Sequence, residues 1–195
     1  MGHEAPVMGH REFMAEAVAL AAESVEEGWG GPFGAVITRD GEIIARGQNR
    51  VLLTADPTAH GEVEAIRKAI QLLNPDAPSV SEVRQNAYTL ELVPRPEGSP
   101  DQLPERARML QGCSIYTSGA PCPMCMSAIY WSRIDAVYFS CDWQATEEIG
   151  FSDAFQYEDF RKPPGERSIA IAQMYPELGA RAYQAWTDKP NRHPY

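Results

Sequence analysis

Two short segments, Thr58-Ala59-His60-Gly61-Glu62 and Pro121-Cys122-Pro123-Met124-Cys125, constrain this chain most, because they are useful only if the fold brings them to one point. Together they supply an imidazole, two thiols and a carboxylate. A catalytic zinc takes three protein ligands from the His, Cys and carboxylate set and leaves a fourth position for water. His60, Cys122 and Cys125 fill those three places, so one Zn2+ per chain is expected. Two thiolates and a neutral imidazole offset the charge of the metal, and bound zinc lowers the pKa of water from about 15.7 towards roughly 7. Glu62 has a different part. Two residues beyond His60, near a helix start, its carboxylate points at the water rather than at the metal. It can take the water proton, pass it to a ring nitrogen and then to a leaving amine, acting first as general base and then as general acid.

Neither half is specific alone. A lone C-x-x-C also fits a redox pair or half of a structural zinc site, and an isolated His is more often structural than a ligand. The conjunction decides. A structural zinc wants four protein ligands, and the other thiols, Cys113 and Cys141, each sit inside an apolar, strand-like run. His-x-Glu followed by Pro-Cys-x-x-Cys, with the Glu not a ligand, is the pattern of zinc nucleobase deaminases.

The chain has 195 residues, enough for one domain with embellishments. Its net charge of −10 works against a polyanionic partner, since nucleic-acid binding leans on Lys and Arg neutralising phosphates. Nucleic acid is therefore an unlikely partner, and a small nucleobase a better one. Four Cys, two of them in the motif, make no disulfide framework, so a reducing, cytoplasmic setting is expected. No apolar run is long enough to cross a bilayer.

In chain order, helical spacing of Phe13, Met14, Ala17, Val18, Leu20, Ala21 and Val25 predicts a core-facing helix over about 10–27, stopped at Gly28. Two strands, 34–37 and 42–46, are joined through Asp40-Gly41, a hairpin signal. A helix follows Asp56-Pro57, with His60 and Glu62 in its first turn and Val63, Ile66, Ile70 and Leu73 inward. The Pro-rich stretch 74–109 is read as a long surface insertion that either covers a pocket or makes an interface. Strand 113–118 leads to a helix beginning at Pro123, strand 136–140 to a short helix 143–149, and an apolar run 169–174 to a helical pattern 176–186 and a tail 187–195. Hairpin, helix, strand, helix, strand, helix predicts an α/β fold of three layers, α/β/α, around a mixed central sheet.

Several further segments extend the likeness. Gly31-Pro32-Phe33-Gly34-Ala35-Val36-Ile37, Gly47-Gln48-Asn49, Asp56-Pro57-Thr58-Ala59-His60 and the run from Pro121 to Trp131 resemble the cytidine-deaminase-like guanine deaminases of bacteria. The resemblance spans most of 10–73 and 112–195, including Gly150-Phe151-Ser152-Asp153 and the terminal Tyr195. It implies zinc-dependent hydrolysis of guanine to xanthine and ammonia. It also implies that Asn49 hydrogen-bonds the purine, that Phe33 and Trp131 line its slot, that backbone groups of Ala59 and His60 hold it, and that Tyr195 closes over it. Homodimers, some with exchanged C-terminal segments, are expected by the same likeness, so Tyr195 serves its own site or a partner's.

Two departures stand out. The Pro-rich insertion is longer than the short link expected in the family. The family also places a second carboxylate after the strand ending at Cys141, where a simple ungapped match finds Ala145; Glu147 from the next turn is expected in its place, with Glu148 as its alternative. Rival readings are a tRNA adenosine deaminase, a deaminase of another free amine such as ammeline, guanosine or cytosine, and a non-catalytic zinc-stabilised module. The acidic balance argues against the first, and Glu62 beside an open coordination position argues against the last.

Overall fold

The computed structural model describes residues 9–75, 108–190 and 192, so most of the predicted insertion and the end of the tail, Tyr195 included, lie outside the described residues. The elements run α1 (His10–Glu26), β1 (Gly34–Arg39), β2 (Glu42–Gln48), α2 (Val51–Thr54), α3 (Gly61–Leu73), β3 (Cys113–Gly119), α4 (Pro123–Trp131), β4 (Ala136–Cys141), α5 (Trp143–Glu148), α6 (Ala154–Arg161) and α7 (Pro176–Asp188). The strands form one sheet in the order β2-β1-β3-β4. β1 pairs antiparallel with β2 and with β3, while β3 pairs parallel with β4, which makes the sheet mixed as predicted.

Alternation along the strands builds the layers. Ala35, Ile37, Cys113 and Ile115 point to the face covered by α3 and α4, where they meet Ala65, Ala69 and Ile129. Val36 and Tyr116, one residue out of step, point to the opposite face and meet Phe13 and Ala17 of α1. A period of two in the strands thus feeds two cores, one on each side. In α1 the inward stripe is Phe13, Ala17, Ala21 and Ser24; Val18 and Val25, predicted to face the core, are exposed, because the stripe is narrow and made of small residues. The hairpin turns at Asp40 and Gly41, both with positive φ (51° and 80°), the combination a two-residue turn between twisted strands requires.

Two of the predicted outlines change. Residues 154–161, to which the sequence assigns no element, form α6. The apolar run 169–174 forms no strand, and Ile169, Ile171 and Met174 are exposed.

One contact sets where the site lies. A Cβ on Gly47 would stand 2.0 Å from the carbonyl oxygen of Gly61 and 2.4 Å from the amide nitrogen of Ala65. Only a residue without a side chain lets β2 approach the start of α3 this closely. At the other end of α3, the Asn74 amide donates to the carbonyls of Ile70 (2.8 Å) and Arg108 (3.0 Å) and accepts from the Arg108 N–H (2.8 Å). This one side chain therefore clasps the two ends of the segment between 74 and 108.

Candidate metal centre and active site

Both metal-ligand motifs sit at helix N-caps. His60 is the N-cap of α3, in extended backbone, and Cys122 is the N-cap of α4, with Pro123 at the first helical position. Pro is well suited there, since the N–H it lacks has no intrahelical partner anyway. The Cys125 N–H points at Cys122 Sγ, 3.5 Å away. Amides at a helix start favour the thiolate over the thiol.

The donor atoms converge. His60 Nδ1 lies 3.7 Å from Cys122 Sγ and 3.4 Å from Cys125 Sγ, and all three ligand atoms fall within 4.8 Å of one another. Zinc–sulfur and zinc–nitrogen bonds of about 2.3 and 2.05 Å at a tetrahedral angle separate S from N by roughly 3.6 Å. The site thus fits zinc in ligand type, number and spacing. Protons are shared unevenly in it. The Cys125 thiol donating to Cys122, together with His60, pulls Cys122 down to about 4. Cys125 moves up for the same reason, as donor in that pair and as a buried group, while the hydrogen bond to Cys122 raises His60. A dication replaces the shared proton by binding both thiolates.

Glu62, in the first turn of α3, is buried. Burial is the main force raising its pKa, reinforced by Cys122 and opposed by its own backbone N–H and by His60. A carboxyl held above its ordinary range is suited to carrying a proton in both directions. A small cleft opens beside it. Phe33, Ala120, Phe151 and Asp153 line it together with His60, Glu62 and Cys122. Phe33 and Phe151 meet edge to face, ring centres 5.0 Å apart.

The second carboxylate on this cleft is Asp153, not Glu147. Glu147 is exposed on α5, where it accepts from the Ser152 hydroxyl, 3.1 Å away. The helix following Cys141 turns it outward, and the chain then doubles back through Gly150 (φ 94°), bringing Phe151 and Asp153 to the metal ligands. Asp153 is the N-cap residue of α6, but its side chain makes no capping bond. Burial raises its pKa, as does Cys122. A sequence signal did exist: Asp153 closes Gly150-Phe151-Ser152-Asp153, one of the segments that carry the likeness to guanine deaminases.

The remaining predicted contacts fare differently. Phe33 lines the cleft. Asn49 is buried beside it, its N–H donating to the Phe33 carbonyl and its Oδ1 accepting from the Val51 N–H, while its amide NH2 has no partner among the described residues. The N–H groups of Ala59 and His60 are already used, donating to Asp56 and Thr58. Trp131 is exposed at the end of α4 and is not part of the cleft lining.

This fold, with a His-Cys-Cys cluster at two helix starts and a buried carboxylate beside it, defines a zinc-dependent deaminase. Residues 8–141 match the cytidine and deoxycytidylate deaminase zinc-binding region, and the chain belongs to that family. The guanine deaminase of Bacillus subtilis (strain 168) is 40% identical over 188 residues, which cover 96% of this chain and all of the relative. Its X-ray structure superposes with a TM-score of 0.77 over 96% of this chain and 99% of that one. The tRNA-specific adenosine deaminase of Aquifex aeolicus is 32% identical over 133 residues, 68% of this chain and 66% of that protein. A structure of guanine deaminase from Nitrosomonas europaea, 24% identical over 92% of this chain and 77% of that one, shares the fold with a TM-score of 0.53.

Proposed function

We propose that this protein hydrolyses guanine to xanthine and ammonia. One observation carries the reading: likeness to a guanine deaminase runs over both chains almost end to end, whereas the Aquifex tRNA deaminase matches over about two thirds of each. The small cleft supports a free base as substrate. His60, Cys122 and Cys125 hold zinc, which acidifies water and so supplies the nucleophile. Glu62 accepts one proton from the water and gives it to a ring nitrogen, then carries the second, from the hydroxyl now on carbon, to the departing amine as the carbonyl forms, so that water and guanine yield xanthine and ammonia. Phe33 and Phe151 form an apolar corner for the flat ring. Asn49 offers its unspent NH2 to an acceptor on the purine, and Asp153 accepts from an N–H of the base.

The chain acts as a homodimer with exchanged C-terminal segments. Support lies in what the chain leaves uncovered. None of the residues of α7 is buried, Ile169, Tyr175, Tyr183 and Trp186 are exposed, and among the described residues no strand pairs with the outer side of β4. Tyr195 then closes a site from the end of such a segment. A site built on two thiolates suits the reducing cytoplasm, and among the described residues no helix is long and apolar enough to cross a membrane. The whole of 1–195 serves as one deaminase domain.

The test is ammonia release by the zinc-loaded protein from guanine, guanosine, adenine, cytosine, ammeline and tRNA. Turnover dominated by guanine is expected. Dominance of another amine keeps the zinc chemistry and replaces the substrate, and silence on all six returns the chain to the non-catalytic reading.

A further inference from the structure

The Asp153 carboxylate and the Cys122 thiol come from different elements, yet both line the same cleft, and one side chain joins those elements. Tyr157, one turn into α6 from Asp153, donates its hydroxyl to the carbonyl of Pro121, 2.9 Å away. Pro121 is fully buried and directly precedes Cys122. The Tyr157 N–H also points back at the Asp153 carbonyl (3.4 Å), so the two residues share one helical turn. The ring of Tyr157 rests edge-on against Trp143 of α5, centres 6.0 Å apart. α6 has little else to hold it: only Asp159 is buried, and that side chain is occupied with Lys162 and Ser168 on the far side of the helix end.

We infer that Tyr157 is a positioning residue whose hydroxyl ties the helix carrying Asp153 to the loop carrying Cys122, setting the carboxylate and the metal ligand relative to each other. Its aromatic ring could be kept by Phe, but the tie could not. The assignment of Asp153 to substrate rests on the function proposed above, while the hold on the Cys122 loop does not.

Two readouts separate these parts. The first is zinc release from the loaded protein to a chromogenic chelator. Loss of a group that orients a ligand typically costs about 10–100-fold in metal affinity or activity, so Y157F is expected to release zinc roughly tenfold faster or more. D153N, which changes a residue that is not a ligand, should release zinc at the wild-type rate. The second is a double-mutant cycle on guanine turnover. Y157F is expected to lower kcat about 10–100-fold with a smaller change in KM, and to add little to the loss already caused by D153N. Zinc release within twofold of wild type in Y157F overturns the tie, as do independent, multiplying losses in the double variant. A wild-type protein silent on guanine removes the second readout through failure of the substrate assignment, and the zinc-release comparison then decides alone. Thermal unfolding of each loaded variant checks that the fold is kept. If Y157F does not fold, W143L, which loosens the seat of the Tyr157 ring and leaves its hydroxyl, should show faster zinc release; an unchanged rate there overturns the inference.

Discussion

At the scale of single residues, chemistry was most readable where the chain repeats it locally. His60 with Glu62, and Cys122 with Cys125, are pairs whose spacing at a helix start already aims both groups one way, and the fold only had to bring two such starts together. Replacing Glu62 by Gln keeps shape and hydrogen bonding but removes the proton carrier. E62Q is expected to retain one zinc per chain and lose roughly 10³-fold in kcat; metal content measured beside turnover checks it, and near-normal turnover would reject the role. Asp153 was not readable in the same way. It lies 28 residues beyond Cys125 and reaches the cleft after the chain reverses at Gly150, whereas the ungapped match backward from Gly150-Phe151 lands on Ala145, with Glu147 expected in its place. D153N should therefore impair turnover far more than E147Q, which alters an exposed group bonded to Ser152; equal effects of the two would return the second carboxylate to α5.

At the scale of elements, what the sequence shows well is any helix or strand whose burial it pays for with period and length. α1, the hairpin, α3 and β3 were legible within a few residues. α6 was not, because Phe155 and Phe160 are exposed and give no inward stripe. The apolar run 169–174 joins no sheet and leaves Ile169, Ile171 and Met174 exposed, because apolar composition without a period does not say which face is buried. Close contact between elements is testable at Gly47. G47A places a methyl group against the α3 backbone, and is expected to cost about 1–3 kcal/mol of stability and to weaken zinc binding by displacing His60. Denaturant midpoints with and without zinc measure both; wild-type values would mean that the helix yields freely.

The turn after α6 carries a pH dependence of known sign. Asp159 accepts from Lys162 Nζ (2.9 Å) and from the N–H and hydroxyl of Ser168, and these bonds, the Lys162 one foremost, lower its pKa. A carboxyl lowered in the folded state contributes stability that is fully present above its ordinary pKa of about 3.9 and is lost as pH falls through the lower folded value. The Ser168 amide should accordingly be protected from hydrogen exchange at pH 6 and lose protection, relative to neighbouring amides, as the carboxyl protonates. In D159N the protection should be weak at both ends of that range.

At the scale of the whole molecule, metal binding is expected to stabilise the folded state. Chelation should lower the unfolding temperature, and zinc but not magnesium should restore it, because two thiolates and an imidazole are poor ligands for a hard cation. With zinc at a thousand times its dissociation constant the stabilisation is about 4 kcal/mol. On the proposed exchange of C-terminal segments, the full chain is expected to sediment as a dimer and a chain ending at Tyr175, lacking α7, as a monomer at the same concentration; an equally stable dimer would count against exchanged segments.

The Asn74 clasp has a consequence for how such a protein can change over generations. Because one amide brings Ile70, Asn74 and Arg108 together, the described residues on either side of 76–107 are held at a single bracket. The cost of closing a loop rises only slowly with its length, so residues can be gained, lost or exchanged between 74 and 108 while α3 and β3, and the metal ligands their ends help to place, stay as they are.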